Sequence, residues 1–207
     1  MLQAPDDHKL PKDRLVPPPG YYETMETAIR ELLLEKGIFT AEELNREVEI
    51  MESRSPATGA RIVARAWIDP DFKARLLANG SAAVAELGIT PGPYHLIALA
   101  NTADLHNLVV CTLCSCYPRF ILGVPPAWYK SQEYRRRAVR EPRSVLAEFG
   151  VVLPDHVEVR VHDSTADMRY LIVPARPAGT EGWPEDRLAE LVTRDAMIGT
   201  AIARPAL

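Results

Sequence analysis

Three cysteines, the only ones in the 207-residue sequence, stand together as Cys111, Cys114 and Cys116. An odd, clustered set makes a poor disulfide framework, and in a reducing compartment it points to metal binding or redox chemistry. Zinc and iron-sulfur sites normally take four protein ligands, and there is no fourth cysteine. His106 is the nearest substitute and precedes the loop on its strand side. A catalytic zinc held by three thiolates and water is one reading. A second uses the backbone, because the amide nitrogens of Ser115 and Cys116 lie inside the chelate formed by Cys114 and Cys116. If a strongly charged ion deprotonates them, three sulfurs and two nitrogens make five ligands and leave one octahedral position for water or substrate. That set demands a low-spin trivalent ion, Co(III) or Fe(III). A third reading is a redox-sensing module without turnover. Spacing alone leaves all three open.

The elements that must position this loop change character along the chain. Residues 1–20 are polar and proline-rich and read as an extended arm. Residues 21–90 read as a helical region. Met25, Ile29, Leu32 and Leu33 recur on one face ahead of Gly37, and Thr40 with Glu43 forms a capping box before Leu44 and Val48. Asp69-Pro70 opens a helix with Phe72, Leu76 and Leu77 as its buried face and Gly80 as its terminator, and a short helix over 81–87 follows. Residues 91–207 read as an α/β layered domain, so the fold class is α+β. Strands are expected over 94–99 and 108–110 around the loop 101–107. An irregular stretch covers 118–126, and a helical stretch over 131–149 is interrupted at Pro142. Val157, Val159 and Val161 alternate with polar residues as a half-buried strand, with 168–173 as its neighbour. The last helix is expected over 185–193.

Composition narrows the function classes. Hydrophobic residues make up 47% of the chain, enough for a core, and the formal net charge is −4. An acidic balance gives no bulk reason to expect nucleic acid or an anionic membrane. The short cluster Tyr134-Arg135-Arg136-Arg137 reads as a solvated or subunit-facing helix. No apolar run reaches the ~20 residues a membrane span needs, and the first 20 residues lack a secretory h-region. The expectation is a cytoplasmic protein that binds neither nucleic acid nor membrane.

Cys111-Thr-Leu-Cys-Ser-Cys116 resembles the metal-binding motif of the nitrile hydratase α subunit. The likeness continues in order through residues 64–70 (ARAWIDP), 72–78 (FKARLLA), 106–110 (HNLVV), 128–130 (WYK), 139–143 (VREPR), 176–183 (RPAGTEGW) and 192–199 (VTRDAMIG). It implies that Cys111, Cys114, Ser115 and Cys116 ligate one non-corrin metal per chain. Thr112 and Tyr117 resemble cobalt-type members, which favours Co(III) over Fe(III). The resemblance also implies that Cys114 becomes sulfinic and Cys116 sulfenic acid while Cys111 stays a thiolate. It implies a catalytic role for Cys114, Ser115 and Cys116, through polarisation of the nitrile, activation of a water, or attack by oxidised Cys116. The product would be an amide. A β subunit, or separate β-like chains, would complete a hetero-oligomer and supply arginines to the oxidised sulfurs, and an activator protein would insert the metal.

Two departures stand out. Arg119-Phe120 follows Tyr117-Pro118 where Trp-Pro is expected, and Ala100 occupies a position where a carboxylate is expected. Arg119 and Tyr117 are therefore candidate substrate-pocket residues; Arg119 reads either as an altered pocket wall or as an arginine paired with a partner carboxylate. Thiocyanate hydrolase, a relative with the same claw, also resembles this chain in carrying arginine there, which makes thiocyanate the alternative substrate. Asp163, Asp167 and Arg169 read as supports around the metal or as surface ion pairs. His106 reads as a hydrogen-bonded structural residue, and Trp67, Trp128 and Trp183 as core or interface anchors.

Overall fold

The computed structural model describes residues 20–206; the arm expected over 1–20 lies outside them except for Gly20. Two compact units divide between Ile50 and Met51.

The first unit is built from α1 (Tyr21–Glu35) and most of α2 (Ala41–Ser53). Gly37, at φ +64°, supplies the turn after α1. The expected capping box opens α2: Glu43 N–H donates to Thr40 Oγ1 at 3.1 Å and Thr40 N–H to Glu43 Oε2 at 2.7 Å. The apolar stripe of α1 is present but uncovered, with Met25, Ile29 and Leu32 all exposed.

The second unit carries the core. Helix α3 (Pro56–Ile68) is its axis, burying Ala60, Ile62, Val63, Ala64 and Ala66. A Cβ on Gly59 would stand 2.7 Å from both Leu122 Cδ2 and Met197 Sδ, so the absence of a side chain there lets three segments close on one another. Asp69 caps α4 (Pro70–Ala78) by accepting from Phe72 N–H at 2.8 Å. Phe72 and Leu76 are buried as expected, whereas Leu77 is exposed; one residue on, the helix has turned its side chain away from the core. Gly80 does not terminate α4. Asn79 ends that helix and caps α5 (Gly80–Glu86), and Gly80 is the first residue of α5. It is small because a Cβ would lie 2.5 Å from the Leu96 carbonyl.

Four strands follow in two parallel ladders. Strand β1 (His95–Ala100) pairs with β4 (Met168–Val173), and β2 (Leu105–Val110) pairs with β3 (Glu158–Asp163). The expected pairing of 157–161 with 168–173 is therefore corrected: the four residues between β3 and β4 carry the chain from one ladder to the other. Alternation reveals a strand's buried face but not its partner. Between β2 and β3 lie α6 (Arg119–Leu122), α7 (Ala127–Lys130), α8 (Gln132–Arg140) and α9 (Pro142–Glu148). Pro142 splits the last two, as its missing N–H requires, and α6 adds a turn of helix to a stretch expected to be irregular. Helices α10 (Glu185–Ala189) and α11 (Arg194–Ile198) close the fold, α11 extending it beyond the last helix expected. Among the described residues no helix is long and apolar enough to cross a membrane.

Candidate metal centre

The three cysteines leave the end of β2 in a loop held from three sides. Cys111 follows Val110 directly and is fully buried, Cys116 is partly buried, and Cys114 is exposed. The loop entry is fixed by the β2–β3 ladder, by Ser164 N–H donating to the Val110 carbonyl at 2.7 Å, and by the Tyr134 hydroxyl donating to the Val109 carbonyl at 2.6 Å. Its bend is fixed by Asp163, the last residue of β3. That carboxylate accepts from Thr112 N–H at 2.9 Å and from the Thr112 hydroxyl at 2.5 Å. Its exit is fixed by the Tyr129 hydroxyl, which donates to the Cys116 carbonyl at 2.8 Å.

The sulfurs converge. Cys111 and Cys114 Sγ are 3.5 Å apart, Cys114 and Cys116 Sγ 3.3 Å, and all three lie within 4.8 Å of one another. With metal–sulfur bonds of ~2.3 Å, sulfurs at right angles stand ~3.3 Å apart and tetrahedral ones ~3.8 Å. The Cys111–Cys114 and Cys114–Cys116 spacings lie nearer the right-angle value. The Cys114 thiol is made more acidic by its neighbours Cys116 and Cys111, and then by the amide N–H groups of Ser115 and Cys116 turned toward it. Burial, followed by the Cys114 contact, pushes the Cys116 thiol up to about 12. The three sulfurs thus fit a single metal ion. His106 takes no part: its Nε2 lies 2.6 Å from the Gly199 carbonyl and its Nδ1 3.3 Å from Asn101 Nδ2, at the opposite end of β2.

Cys114, Ser115 and Cys116 open into a cleft of about 530 Å³. Pro91, Pro93, Tyr94 and Phe120 give it apolar wall, Arg54, Arg119 and Arg169 give it positive charge, and among the described residues no carboxylate lines it. The Arg169 guanidinium sits 4.4 Å from the Tyr94 ring centre and donates to the Ala166 and Met168 carbonyls; its buried Nε has no partner among the described residues. Arg119 is exposed on the cleft wall, while Tyr117 borders it with a buried, unpartnered hydroxyl. Asp163 supports the loop, and Asp167 accepts His95 N–H at 2.8 Å through its backbone without reaching the sulfurs. Ala100 ends β1, its carbonyl accepting from Asn107 Nδ2 at 2.9 Å. Of the basic cluster, Tyr134 is buried and Arg137 pairs with Glu133, Glu141 and Glu148.

Sequence reasoning passed over Tyr129, Ser164 and Arg54, and it read Tyr134 as part of a solvated or subunit-facing helix although that residue is buried. Each acts through a hydrogen bond or a wall position far along the chain, and only the WYK resemblance drew any attention to Tyr129.

The sequence profile of the family described as "Nitrile hydratase, alpha chain" matches residues 20–201. The thiocyanate hydrolase subunit gamma of Thiobacillus thioparus is 47% identical over 198 residues, covering 90% of this chain and 82% of the relative. The high-molecular weight cobalt-containing nitrile hydratase subunit alpha of Rhodococcus rhodochrous is 49% identical over 185 residues, covering 88% of this chain and 91% of the relative. Among solved structures, a recombinant thiocyanate hydrolase comprising partially modified cobalt centers superposes with a TM-score of 0.85 at 46% identity, covering 92% of this chain and 93% of that one. With the family's profile matched across both units, and relatives near half identity along most of its length, this chain belongs to the nitrile hydratase alpha-chain family.

Proposed function

We propose that this chain is the metal-bearing subunit of a nitrile hydratase, a lyase that adds water across a C≡N bond to give an amide. The observation that carries the reading is the convergence of three sulfurs beside a cleft. Cys111, Cys114 and Cys116 sulfurs and the Ser115 and Cys116 amide nitrogens would hold one non-corrin Co(III), with Fe(III) the other ion the set suits. When bound, that ion supplies Lewis-acid activation of the nitrile or of water. The chain's own residues do the rest. Tyr94 and Phe120 seat the organic group of the substrate, and Arg119 and Arg169 orient a polar one. The order of exposure supports oxidation of Cys114 to sulfinic and Cys116 to sulfenic acid, with buried Cys111 remaining a thiolate. Cys116, so oxidised, is one candidate nucleophile. The oxidised sulfurs need donors, and a β-type partner subunit completes them; an activator protein loads the metal. Unpaired thiols fit a cytoplasmic location.

Thiocyanate hydrolysis is the second reading, favoured by three guanidiniums and, among the described residues, no carboxylate on the cleft wall. The test is activity of the cobalt-loaded protein, coexpressed with its partner subunits, on a nitrile panel and on thiocyanate. Amide without thiocyanate turnover supports the first reading, and thiocyanate turnover the second. Zinc as the sole metal of the fully assembled protein, with no turnover, would instead favour a redox-sensing module. Arg119→Trp should shift substrate preference, lowering affinity for charged substrates about ten-fold, on the order of one lost charged hydrogen bond. Unchanged KM values on every substrate would remove Arg119 from the pocket.

A further inference from the structure

Three ties hold the cysteine loop, and they differ in kind. Entry and bend rest on a strand ladder and a carboxylate, each making more than one bond. The exit rests on one group: among the described residues, the Tyr129 hydroxyl is the single hydrogen-bond partner of the Cys116 carbonyl. Tyr129 is fully buried. Its ring is held edge-on by Tyr117 at 5.2 Å and by Trp128 at 6.0 Å, and tilted against Tyr134 at 5.8 Å. The buried Ser164 hydroxyl lies beside the Tyr129 oxygen and has no other hydrogen-bond partner among the described residues. The phenol is therefore aimed by packing, and the carbonyl it donates to belongs to a cysteine of the cluster.

We infer that Tyr129 is a positioning residue for the metal centre, setting the orientation of Cys116 through its carbonyl. The inference rests on the reading that the loop holds a metal. The carbonyl carbon of Cys116 shares a Cα with the amide nitrogen and the sulfur assigned as ligands. Fixing that carbonyl fixes the rotation about the Cα–C bond, and so limits where nitrogen and sulfur can point together. Tyr134 provides the internal control. It belongs to the same aromatic cluster, is also buried, and also donates to a backbone carbonyl, but that carbonyl is Val109's, on a residue inside β2 whose chain neighbour Val110 is bonded to Ser164 beside it. Removing either hydroxyl leaves a carbonyl without its phenol donor; only one of them should be felt by the metal.

The experiment compares Tyr129→Phe and Tyr134→Phe in the cobalt-loaded enzyme coexpressed with its partner subunits. It reads the sulfur-to-cobalt absorption band, the rate of cobalt loss to EDTA, and kcat and KM separately. Tyr129→Phe should move the band, speed cobalt loss about ten-fold, as changes next to metal ligands do, and lower kcat with KM unchanged. Tyr134→Phe should lower the melting temperature and leave the band in place. Should Tyr129→Phe fail to assemble, 3-fluorotyrosine at position 129 keeps the ring and strengthens the donor, and should move the band in the opposite sense or slow cobalt loss. A native band and native cobalt loss in Tyr129→Phe, or in the fluorotyrosine protein, overturn the inference while the wild-type band still supports the metal reading. Absence of the band from the wild-type protein overturns both.

Discussion

The two ends of β2 carry residues of equally reactive type and put them to opposite use. At the N-terminal end, His106 and Asn107 are buried and saturated. The imidazole bonds Gly199 and Asn101, and Asn107 bonds the Ala100 carbonyl, Asn101 and His162. At the C-terminal end, three thiols converge with no disulfide, and three guanidiniums line the cleft with no carboxylate among the described residues. Residue type alone does not separate structure from chemistry here. Unfilled bonding capacity does, because a folded chain leaves buried or converging polar groups unsatisfied only where something else is to satisfy them.

The comparison breaks most sharply if the cysteine end turns out to be structural. Cys114→Ser should abolish stoichiometric metal and cut activity by well over the ~100-fold typical of losing a mere support residue. Cys114 is exposed, so the far-UV circular dichroism of the variant should match the wild type. A variant that unfolds would move the cysteines to the structural side.

At the other end the expectation is reversed. Gly199, in the left-handed conformation at φ +94°, lets α11 end against β2, and a Cβ there would stand 2.0 Å from the Asn107 carbonyl oxygen. Backbone strain and this overlap add together in Gly199→Ala, which should cost about 4 kcal/mol or more. That lowers the melting temperature on the order of 10 °C in a unit of this size. The fraction that remains folded should still bind metal at the wild-type ratio. A stable Gly199→Ala protein that has lost its metal would mean that the two ends are coupled.

How legible these ends are from sequence follows from the range of the interactions. The cysteine loop is legible because it is local: the types and spacing of Cys111, Cys114 and Cys116 mark a candidate metal loop, although spacing alone leaves the ion and the other ligands open. Caps at Asp69 and Thr40 and the break at Pro142 are legible for the same reason. The supports are not. Asp163 meets Thr112 across the β2–β3 register, and Tyr129 meets Cys116 through a packed aromatic cluster; neither leaves a periodic signal. Ladder partners are hidden as well, since the alternation that reveals β3 says nothing of whether β2 or β4 lies beside it. Gly80 shows the limit from the other side. It reads as a helix terminator, but its smallness answers to the Leu96 carbonyl, a neighbour in space.

The smallest expected effect concerns His106 and separates the ends by pH. Burial lowers its pKa below the ordinary 6.5, outweighing the Gly199 hydrogen bond that acts to raise it. Both bonds are made by the neutral ring, Nε2–H donating to Gly199 and Nδ1 accepting from Asn101. The folded state therefore resists a proton that the unfolded chain takes up from about pH 6.5 downward. With more protons bound in the unfolded state, stability rises with pH across that window and is lost as pH falls from about 6.5 toward the depressed folded value. His162, also lowered by burial, contributes in the same direction. In thermal melts of the apo protein the midpoint should fall on going from pH 7 to pH 5. His106→Gln should cost about 1 kcal/mol at pH 7 through the lost Asn101 bond and flatten the slope, leaving the part that belongs to His162. An undiminished slope in His106→Gln would show that the buried imidazole titrates freely in the folded protein. The N-terminal end of β2 would then be open to change, and the contrast with the cysteine end would narrow to the metal alone.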